Sequence, residues 1–376
     1  MGHDRTAADL HPADRLDRAA AAARAAGLSA LLLTPGPDLR YVTGYDAQQL
    51  ERLTCLALPA EGASTAPFLL VPRLELPAAQ TSPAACLGLE IVPWDETADP
   101  YALLGRRLGP LEQVGLSDHM WALMVLRLRD ALPGARQALA SQALRGLRAR
   151  KTPAEVAALR AAGAAIDRVH AQVPGWLRAG RTELEVAADI AEAIIAEGHA
   201  RVDFTIVGSG PNGASPHHEA SDRVIAEGEP VVVDIGGTMP SGYCSDCTRT
   251  YVIGAPPPDF ARYYQVLKDA QEAACAAVRP GVAAEAVDAA AREPIAAAGY
   301  GEYFVHRTGH GIGLEAHEHP YIVAGNAEPL EPGNAFSIEP GIYPGPHGAR
   351  IEDIVVCTEQ GCERLNHVTR ELVVVG

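Results

Sequence analysis

The segment from Tyr303 to Val356 constrains this chain most strongly, because it places imidazole and carboxylate groups inside apolar, strand-forming sequence. Its first part, Val305-His-Arg-Thr-Gly-His-Gly-Ile-Gly-Leu-Glu-Ala-His317, carries three histidines separated by glycines, which let a backbone approach a ligand closely. Its second part contains Glu339 and Glu352. A buried carboxylate is costly without a charge partner, so the segment predicts a positively charged partner for these acids.

An earlier segment repeats this arrangement of acids on a predicted hairpin. Two strand-forming runs flank the loop 237–242. A loop centred on Pro240 would place Asp234 directly opposite Asp246. The Cβ atoms of directly opposed residues are roughly 4.5–5.5 Å apart, and like charges at that spacing destabilise a bare sheet.

The second predicted hairpin has the same design. Its strands are Ala335–Ile342 and Arg350–Cys357, and their pairing places Glu339 opposite Glu352. Together with His310, which lies between the two hairpins in the sequence, the chain supplies four acids and one imidazole. We expect these five side chains to converge on one site.

Electrostatics indicates what that site binds. Two carboxylates about 4 Å apart repel by about 4 kcal/mol at an effective dielectric of about 20, so a group of four needs protons or cations. Two divalent cations cancel four negative charges, and such pairs activate water in hydrolases. Oxygen-rich ligation with one nitrogen favours manganese, iron or cobalt, with zinc as an alternative. The Cys and His spacing of a structural zinc site does not occur in the sequence.

The pattern of secondary structure indicates two domains. Strands and helices alternate through the first 140 or so residues, which is typical of a small α/β domain. Thr152-Pro-Ala-Glu155 is a capping box that begins a new helix, so we predict domains 1–148 and 149–376. In the second domain, a helix that follows Arg178-Ala-Gly180 has a counterpart that follows Arg279-Pro-Gly281. This repeat predicts two related α-α-β halves.

Composition excludes several other kinds of partner. The formal net charge of −16 argues against nucleic acid, and no apolar run of about 18 residues predicts a membrane span. The odd number of cysteines, seven, without a secretion signal favours reduced thiols and a cytoplasmic location. Cys244 and Cys247 lie in strand-forming sequence, which argues against a redox pair. Gly208-Ser-Gly-Pro-Asn-Gly213 fits a nucleotide-binding pattern but cannot open the required helix.

These motifs resemble those of the pita-bread metallopeptidases, and most closely the Xaa-Pro peptidases, namely prolidase and aminopeptidase P. The matching motifs are Val233-Asp-Ile-Gly-Gly237, Tyr243-Cys-Ser-Asp-Cys-Thr-Arg-Thr250, His306-Arg-Thr-Gly-His-Gly-Ile-Gly-Leu314, Ser337-Ile-Glu-Pro-Gly-Ile-Tyr343 and Arg350-Ile-Glu-Asp353. The first domain resembles the creatinase-type N-terminal domain through Asp38-Leu-Arg-Tyr-Val-Thr-Gly-Tyr45. The resemblance implies an α/β (α+β) protein with a small creatinase-type N-terminal α/β domain and a pita-bread catalytic domain.

The resemblance also implies roles for individual residues. The metal ligands would be Asp234 on one metal, His310 and Glu339 on the other, and Asp246 and Glu352 between them. The metals would be manganese ions, with cobalt, iron or zinc as alternatives, and a hydroxide bridging them would attack the peptide bond.

Further side chains of the resembled motifs have expected catalytic or substrate-binding roles. Glu339 would shuttle the proton, and His317 would bind the substrate near the scissile carbonyl. His217 would stabilise the tetrahedral intermediate or the leaving proline. The resemblance also implies catalytic roles for His306 and Arg350 and a substrate-binding role for Tyr343.

The implied function is hydrolysis of the Xaa-Pro bond at the N-terminus of a dipeptide or short peptide, by a homodimer. Some prolidases carry an arginine at the position of Tyr321, which leaves the choice between dipeptidase and aminopeptidase P open. A non-proline aminopeptidase, another amide hydrolase or lyase, or a non-enzymatic binding protein are the alternatives, because one fold supports several functions.

Overall fold

The computed structural model describes residues 10–376, so the first nine residues of the predicted N-terminal domain lie outside the described range. The chain divides into two compact units, Met1–Arg148 and Ala149–Gly376. Each unit has its own sheet structure and its own apolar core.

The first unit is a mixed sheet with helices. Its helices are α1 (Asp14–Ala25), α2 (Pro37–Thr43), α3 (Leu76–Thr81), α4 (Pro100–Leu108), α5 (Ala122–Ala131) and α6 (Ser141–Ala149), the last of which ends at the boundary. Its strands are β1 (Ala30–Leu33), β2 (Cys55–Pro59), β3 (Phe68–Pro72), β4 (Glu90–Trp94), β5 (Gln113–Leu116) and β6 (Arg136–Leu139). They pair in the order β4-β3-β2-β1-β5-β6. The strands β1, β2 and β3 are buried along their whole length, which explains their continuous apolar sequences.

The second unit contains the predicted site. Its helices are α7 (Pro153–His170), α8 (Val173–Trp176), α9 (Glu183–Ala196), α10 (Phe260–Ala277) and α11 (Ala284–Ala297). Its strands are β7 (Arg201–Ser209), β8 (Pro230–Thr238), β9 (Cys244–Ile253), β10 (Gly309–Gly311), β11 (Glu318–Ile322), β12 (Ala335–Ile338), β13 (Gly341–Ile342), β14 (Ala349–Arg350), β15 (Asp353–Thr358), β16 (Gly361–Arg364) and β17 (Val373–Val375). One sheet has the order β17-β9-β8-β7 and another has the order β11-β10-β12-β15-β16, while β13 and β14 pair with each other.

The helices of the second unit begin where the capping signals predict. The Thr152 side chain accepts from the Glu155 N–H, and the Glu155 carboxylate accepts from the Thr152 N–H, so the predicted capping box is confirmed. The helices α9 and α11 have equal lengths of 14 residues and are related by an offset of 101 residues. The predicted internal repeat is therefore visible as two helices of matching bounds, with the 18-residue helices α7 and α10 at the start of the respective halves.

The first hairpin differs from its predicted register. In the β8–β9 ladder Asp234 faces Thr248, so the expected direct opposition of Asp234 and Asp246 is wrong. The turn does not centre on Pro240, because Gly242 takes a left-handed φ of 92° and closes the loop one residue further along the chain. The two acids remain on one face of the sheet as diagonal neighbours, whose Cα atoms are about 7–8 Å apart.

The second hairpin keeps the predicted register but not the predicted continuity. The pairs β12–β15 and β13–β14 share one register, in which Glu339 faces Glu352 as expected. Between them the ladder is broken: the Glu339 N–H donates to Thr308 O at 2.8 Å, and the Glu352 N–H donates to Thr248 O at 3.1 Å. Pro340, which has no N–H to donate, follows Glu339 and helps to end the strand there.

No helix in residues 10–376 combines the length and the apolarity that crossing a bilayer requires.

Candidate metal centre

Acidic and imidazole side chains converge where the two main sheets of the second unit meet. Asp246, His310 and Glu352 each offer one ligand atom, and these atoms lie within 4.8 Å of one another. His310 Nε2 lies 3.2 Å from Glu339 Oε1 and 3.7 Å from Asp246 Oδ2. Asp234 lines the same cavity. The structure therefore brings all five predicted metal-ligating residues together.

The hydrogen bonds of His310 reveal which ring nitrogen faces the acids. Its Nδ1 lies 3.1 Å from the carbonyl oxygen of Gly311, which can only accept, so in the neutral ring Nδ1 carries the proton. The lone pair of Nε2 then points toward the carboxylate oxygens of Glu339 and Asp246. This contact is repulsive unless a cation or a proton lies among the three groups. In metal-ligating histidines, the ring nitrogen that does not bind the metal typically donates its N–H to a group such as a backbone carbonyl.

Asp234 supplies an independent indication that the residues of this site fit a cation. Its Oδ2 accepts from Arg350 Nη2 at 2.6 Å. Its Oδ1 is buried and has no hydrogen-bond partner. An unpaired buried carboxylate oxygen costs about 1–3 kcal/mol or more, which metal coordination would remove. The donor set therefore fits divalent cations.

The pKa values of the carboxyl groups at this centre reflect the repulsion between their negative charges. Burial, followed by the charges of Glu352 and Asp234, raises the pKa of Asp246 well above its usual range. Burial, followed by the charges of Glu339 and Asp234, likewise raises the pKa of Glu352. Burial also raises the pKa of Glu339, but when His310 carries a second proton on Nε2, its hydrogen bond and charge outweigh burial and leave that pKa below its usual range. The acids cannot all be charged at once without added positive charge.

A network of donors fixes the orientation of the acids. Arg350 is 2 % exposed, and besides Asp234 its guanidinium contacts Thr248 Oγ1 at 3.1 Å and the Tyr343 hydroxyl at 3.0 Å. Thr248 in turn donates from its hydroxyl to Glu352 Oε2 at 2.7 Å. Arg350 thus holds one acid directly and another through a threonine.

The acids form one wall of a cavity of about 710 Å³. Its polar lining also includes His217, His306, Arg307, His310 and His317. Its apolar lining comes from Phe204, Ile206 and Pro216. The cavity is therefore large enough for a small ligand and combines one acidic wall with apolar surface.

The predicted catalytic histidines occupy different environments. His317 packs against His310 with ring centroids 4.0 Å apart, and burial together with His310 and Arg307 lowers the pKa of His317 to about 4. His317 is therefore neutral at pH 7. His217, by contrast, is exposed and lines the cavity.

His306 belongs to the network of Arg350. Its Nδ1 donates to Arg307 O at 2.8 Å, and its Nε2 accepts from the Tyr343 hydroxyl at 2.9 Å. Burial lowers the pKa of His306 and raises that of Tyr343 to about 12. Both groups are neutral near pH 7, and the chain Arg350–Tyr343–His306 is fully hydrogen-bonded.

Several residues of the site were absent from the sequence-based predictions. Thr248, Ile206 and Phe204 share a face of the sheet with the acids, because Ile206 pairs with Asp234 and Asp234 pairs with Thr248. The correct register of β8 and β9 would have revealed Thr248, since directly paired residues point to the same face. Asp353, which follows Glu352, points away from the centre, and its carboxylate pairs with Arg249.

Comparison with known proteins adds an independent finding. Residues 157–359 match the model of metallopeptidase family M24, and residues 15–150 match the creatinase/prolidase N-terminal domain. The probable dipeptidase PepE of Mycobacterium tuberculosis is 58% identical over 377 residues, which cover 100% of this chain and 99% of that protein. The Xaa-Pro dipeptidase of Lactobacillus helveticus is 37% identical over 350 residues, which cover 90% of this chain and 92% of that protein. The crystal structure of dipeptidase PepE from Mycobacterium ulcerans matches with a TM-score of 0.91 at 58% identity, covering 96% of this chain and 97% of the other.

Proposed function

The chain belongs to metallopeptidase family M24, and from that premise we propose that it hydrolyses the Xaa-Pro bond at the N-terminus of dipeptides or short peptides. The family, the α/β fold class and the metallopeptidase activity predicted from the sequence are confirmed. The name of the Lactobacillus helveticus relative supports the preference for proline. The observation that carries the proposal is the convergence of four acids and His310 on one wall of a partly apolar cavity.

We assign five residues to two divalent cations. Asp234 would bind one cation, His310 and Glu339 the other, and Asp246 and Glu352 would bridge the pair. When bound, the cations polarise the scissile carbonyl and acidify water at the site. The oxygen-rich donor set favours manganese, with cobalt, iron or zinc as alternatives.

The remaining chemistry belongs to side chains of this chain. The Glu339 carboxylate would take a proton from the attacking water and deliver it to the nitrogen of the leaving proline. His317, neutral at pH 7 because its pKa is about 4, would donate its N–H to the substrate near the scissile carbonyl. His217 would contact the tetrahedral intermediate or the leaving proline from the open side of the cavity. These roles follow general acid–base chemistry, in which each proton has a positioned donor or acceptor.

The network behind the cavity would act by positioning. Arg350 holds Asp234 directly and holds His306 through Tyr343. His306 and Tyr343 would therefore keep fixed orientations toward the substrate. Phe204 would supply apolar surface for the pyrrolidine ring of proline. Substrate positioning of this kind is a large part of enzymatic rate enhancement.

A comparison of four peptides tests the proposed function. The manganese-loaded protein is expected to release alanine from Ala-Pro and Ala-Pro-Ala-Ala much faster than from Ala-Ala, and to leave Pro-Ala uncut. Cleavage of Ala-Ala in preference to Ala-Pro would identify a non-proline aminopeptidase or dipeptidase instead. Failure to cleave any of the four would contradict the proposal.

The homodimer and the cytoplasmic location remain predictions. Sedimentation velocity measures the first, because a chain of 39.5 kDa should then sediment as a particle of twice that mass.

A further inference from the structure

Three of the seven cysteines converge where the β15–β16 hairpin packs against α10. Cys357 and Cys362 are directly paired in this hairpin, so their side chains point to the same face of the sheet. Cys275 lies in the last turn of α10 and belongs to the same apolar core. All three are free thiols, and none of them lines the cavity beside the acids. The proposed peptidase chemistry therefore leaves this group of thiols unused.

Cys362 is the accessible member of the group. Its side chain is partly exposed, whereas Cys275 and Cys357 are 3 % and 0 % exposed. The thiol of Cys275 is hydrogen-bonded to the sulfur of Cys362. A partly exposed thiol in contact with a buried one is the arrangement in which the first can react with an oxidant and the second can complete a disulfide.

A guanidinium lies beside this pair of thiols. Arg364 follows Cys362 by two residues on β16 and therefore projects to the same face. Its Nη2 donates to Glu272 Oε2 at 2.7 Å, but its Nε is buried without a hydrogen-bond partner. A thiolate accepts hydrogen bonds and is stabilised by a nearby positive charge. Arg364 therefore favours ionised sulfur at this position.

The two thiols differ in how readily they lose a proton. The hydrogen bond from Cys275 and the charge of Arg364 lower the pKa of Cys362, although burial and two nearby carboxylates oppose them. The same hydrogen bond, together with burial, raises the pKa of Cys275 well above its usual range. Cys362 is therefore the nucleophilic sulfur, and Cys275 is the protonated thiol beside it.

Two other readings of these cysteines fit the structure less well. A thiolate metal site needs at least three ligand atoms close together, and in residues 10–376 the only such group is Asp246, His310 and Glu352. Cys357 is paired with Cys362 across the ladder, but the hydrogen bond of Cys362 is made with Cys275. Cys275 is therefore the expected disulfide partner.

We propose that Cys275 and Cys362 are a modification site at which a peroxide forms a reversible disulfide between α10 and the β15–β16 hairpin. The Cys362 thiolate attacks one oxygen of hydrogen peroxide, the O–O bond breaks, and the departing hydroxide takes up a proton, which leaves a sulfenic acid. The Cys275 sulfur then attacks the sulfenic sulfur, and its proton leaves with the displaced hydroxide as water. Two thiols are thus oxidised to one disulfide, while one peroxide is reduced to two waters.

The disulfide would link distant parts of the second half. The segment from Cys275 to Cys362 includes His310, Glu339 and Glu352. A cross-link that closes so long a segment restricts the unfolded chain and stabilises the folded one. The oxidised protein is therefore expected to resist unfolding more than the reduced protein, and exchange with an added thiol would reverse the effect.

Mass spectrometry of the manganese-loaded full chain tests the proposal after treatment with a small excess of hydrogen peroxide. A digest made without reductant should contain a peptide cross-linked between Cys275 and Cys362. Titration of the denatured protein should show that free thiols fall from seven to five, and dithiothreitol should restore them. The oxidised protein should have a Tm at least about 4 °C above that of the reduced protein.

Variants assign the roles of the two sulfurs and the guanidinium. Cys275→Ala should stop the reaction at a Cys362 sulfenic acid, which dimedone labels, and should give no cross-link. Cys357→Ala is the matched control, since it removes a buried cysteine of the same core, and it should keep the cross-link. Arg364→Gln should slow alkylation of Cys362 by iodoacetamide at pH 7 by about threefold or more, and Arg364→Lys by less. If Cys275→Ala does not fold, Cys362→Ser at the partly exposed position should likewise abolish the cross-link.

The outcomes that would overturn the proposal are equally specific. A disulfide between Cys362 and Cys357, oxidation confined to the exposed Cys86, or no loss of thiols would each contradict it. The measurements follow thiols and unfolding rather than peptide cleavage. The proposal therefore stands or fails separately from Xaa-Pro hydrolysis.

Discussion

Each oxygen of the acidic centre needs either a hydrogen-bond donor or a cation, and Thr248 supplies the donor for Glu352. Its hydroxyl donates to Glu352 Oε2 at 2.7 Å and accepts from Arg350 Nε at 3.1 Å. Replacing it with valine keeps the shape but leaves both partners without this contact. Because such partners of a ligand hold it in orientation, Thr248→Val should lower metal affinity by about 10- to 100-fold.

Calorimetric titration with manganese measures the effect of Thr248→Val. Thr205→Val serves as the control, because Thr205 lies on β7 with its side chain on the opposite face from Ile206. Unchanged metal affinity in Thr248→Val would show that Glu352 needs no orientation by this hydroxyl.

Asp246 illustrates how function opposes stability in the metal-free protein. It is 3 % exposed, and burial and the neighbouring acids raise its pKa. Asp246→Asn removes one of the mutually repelling charges, so it should stabilise the metal-free protein by at least about 1 kcal/mol, or about 2–4 °C in Tm, while abolishing peptidase activity. Thermal unfolding in the presence of a chelator measures the change, with the exposed Asp222→Asn as the control. A lower Tm in Asp246→Asn would mean that the carboxylate has a stabilising partner after all.

At the scale of elements, the start of α9 fixes the loop that carries His217. Glu183 is fully buried in the first turn of this helix and accepts hydrogen bonds from the backbone and side-chain donors of a surrounding group of residues. The donors are Ser209, Asn212, His218 and Ser221. One carboxylate therefore ties both ends of the loop around His217 to a helix N-terminus, where negative charge is favoured.

The pKa of Glu183 gives this contribution a pH dependence. Burial raises the pKa, but the hydrogen bonds from Ser221, Ser209 and His218 outweigh it and lower the pKa from 4.5 to about 2. A carboxyl group with a lowered folded-state pKa stabilises the protein above its unfolded-state pKa, and this stability is lost as the pH falls toward the folded-state value. The loss is therefore expected between about pH 4.5 and pH 2.

Glu183→Gln should abolish that part of the acid sensitivity and lower stability at pH 7 by about 2 kcal/mol or more, because a buried charged acceptor is replaced by a neutral amide. Denaturant unfolding at several pH values measures both effects, with Glu192→Gln on the exposed face of α9 as the control. If wild type and Glu183→Gln lose stability in parallel below pH 4.5, the carboxylate is not the group responsible.

The elements also show what sequence patterns could and could not predict. The repeat that gives α9 and α11 and the capping box at Thr152 were predictable, because both depend on local signals. The register of the second hairpin followed from its acid pattern. The register of the first did not, because the position of its turn depends on the φ of Gly242, which the sequence permits but does not require.

Residues that act through distant partners were the hardest to predict. The helix α2 begins at Pro37, and proline in the first helical turn is a common start signal. The strand β6 has the sequence Arg-Gln-Ala-Leu and no apolar alternation, since it is largely exposed. Glu183 gave no signal, because its partners lie 26 or more residues away in the sequence.

At the scale of the whole molecule, the catalytic unit depends on two halves that each bring two acids. β8 and β9 carry Asp234 and Asp246, while Glu339 and Glu352 come from the second hairpin. Beside the acids, a backbone bridge between Thr248 and Glu352 joins the two halves. Cations bound at this junction would replace repulsion between the halves by attraction, so metal binding should stabilise the fold as well as enable catalysis.

Metal removal tests this coupling directly. A ligand that binds only the folded state stabilises it by about 4.1 kcal/mol when its concentration is 1,000 times Kd, so manganese should raise Tm in proportion to the logarithm of its concentration. Elemental analysis of the loaded protein should give two metal ions per chain. Glu352→Gln removes a ligand shared by both proposed positions, and its Tm should respond weakly to manganese. A chelated protein with unchanged Tm and full activity would contradict both the metal assignment and the idea that cations hold the two halves together.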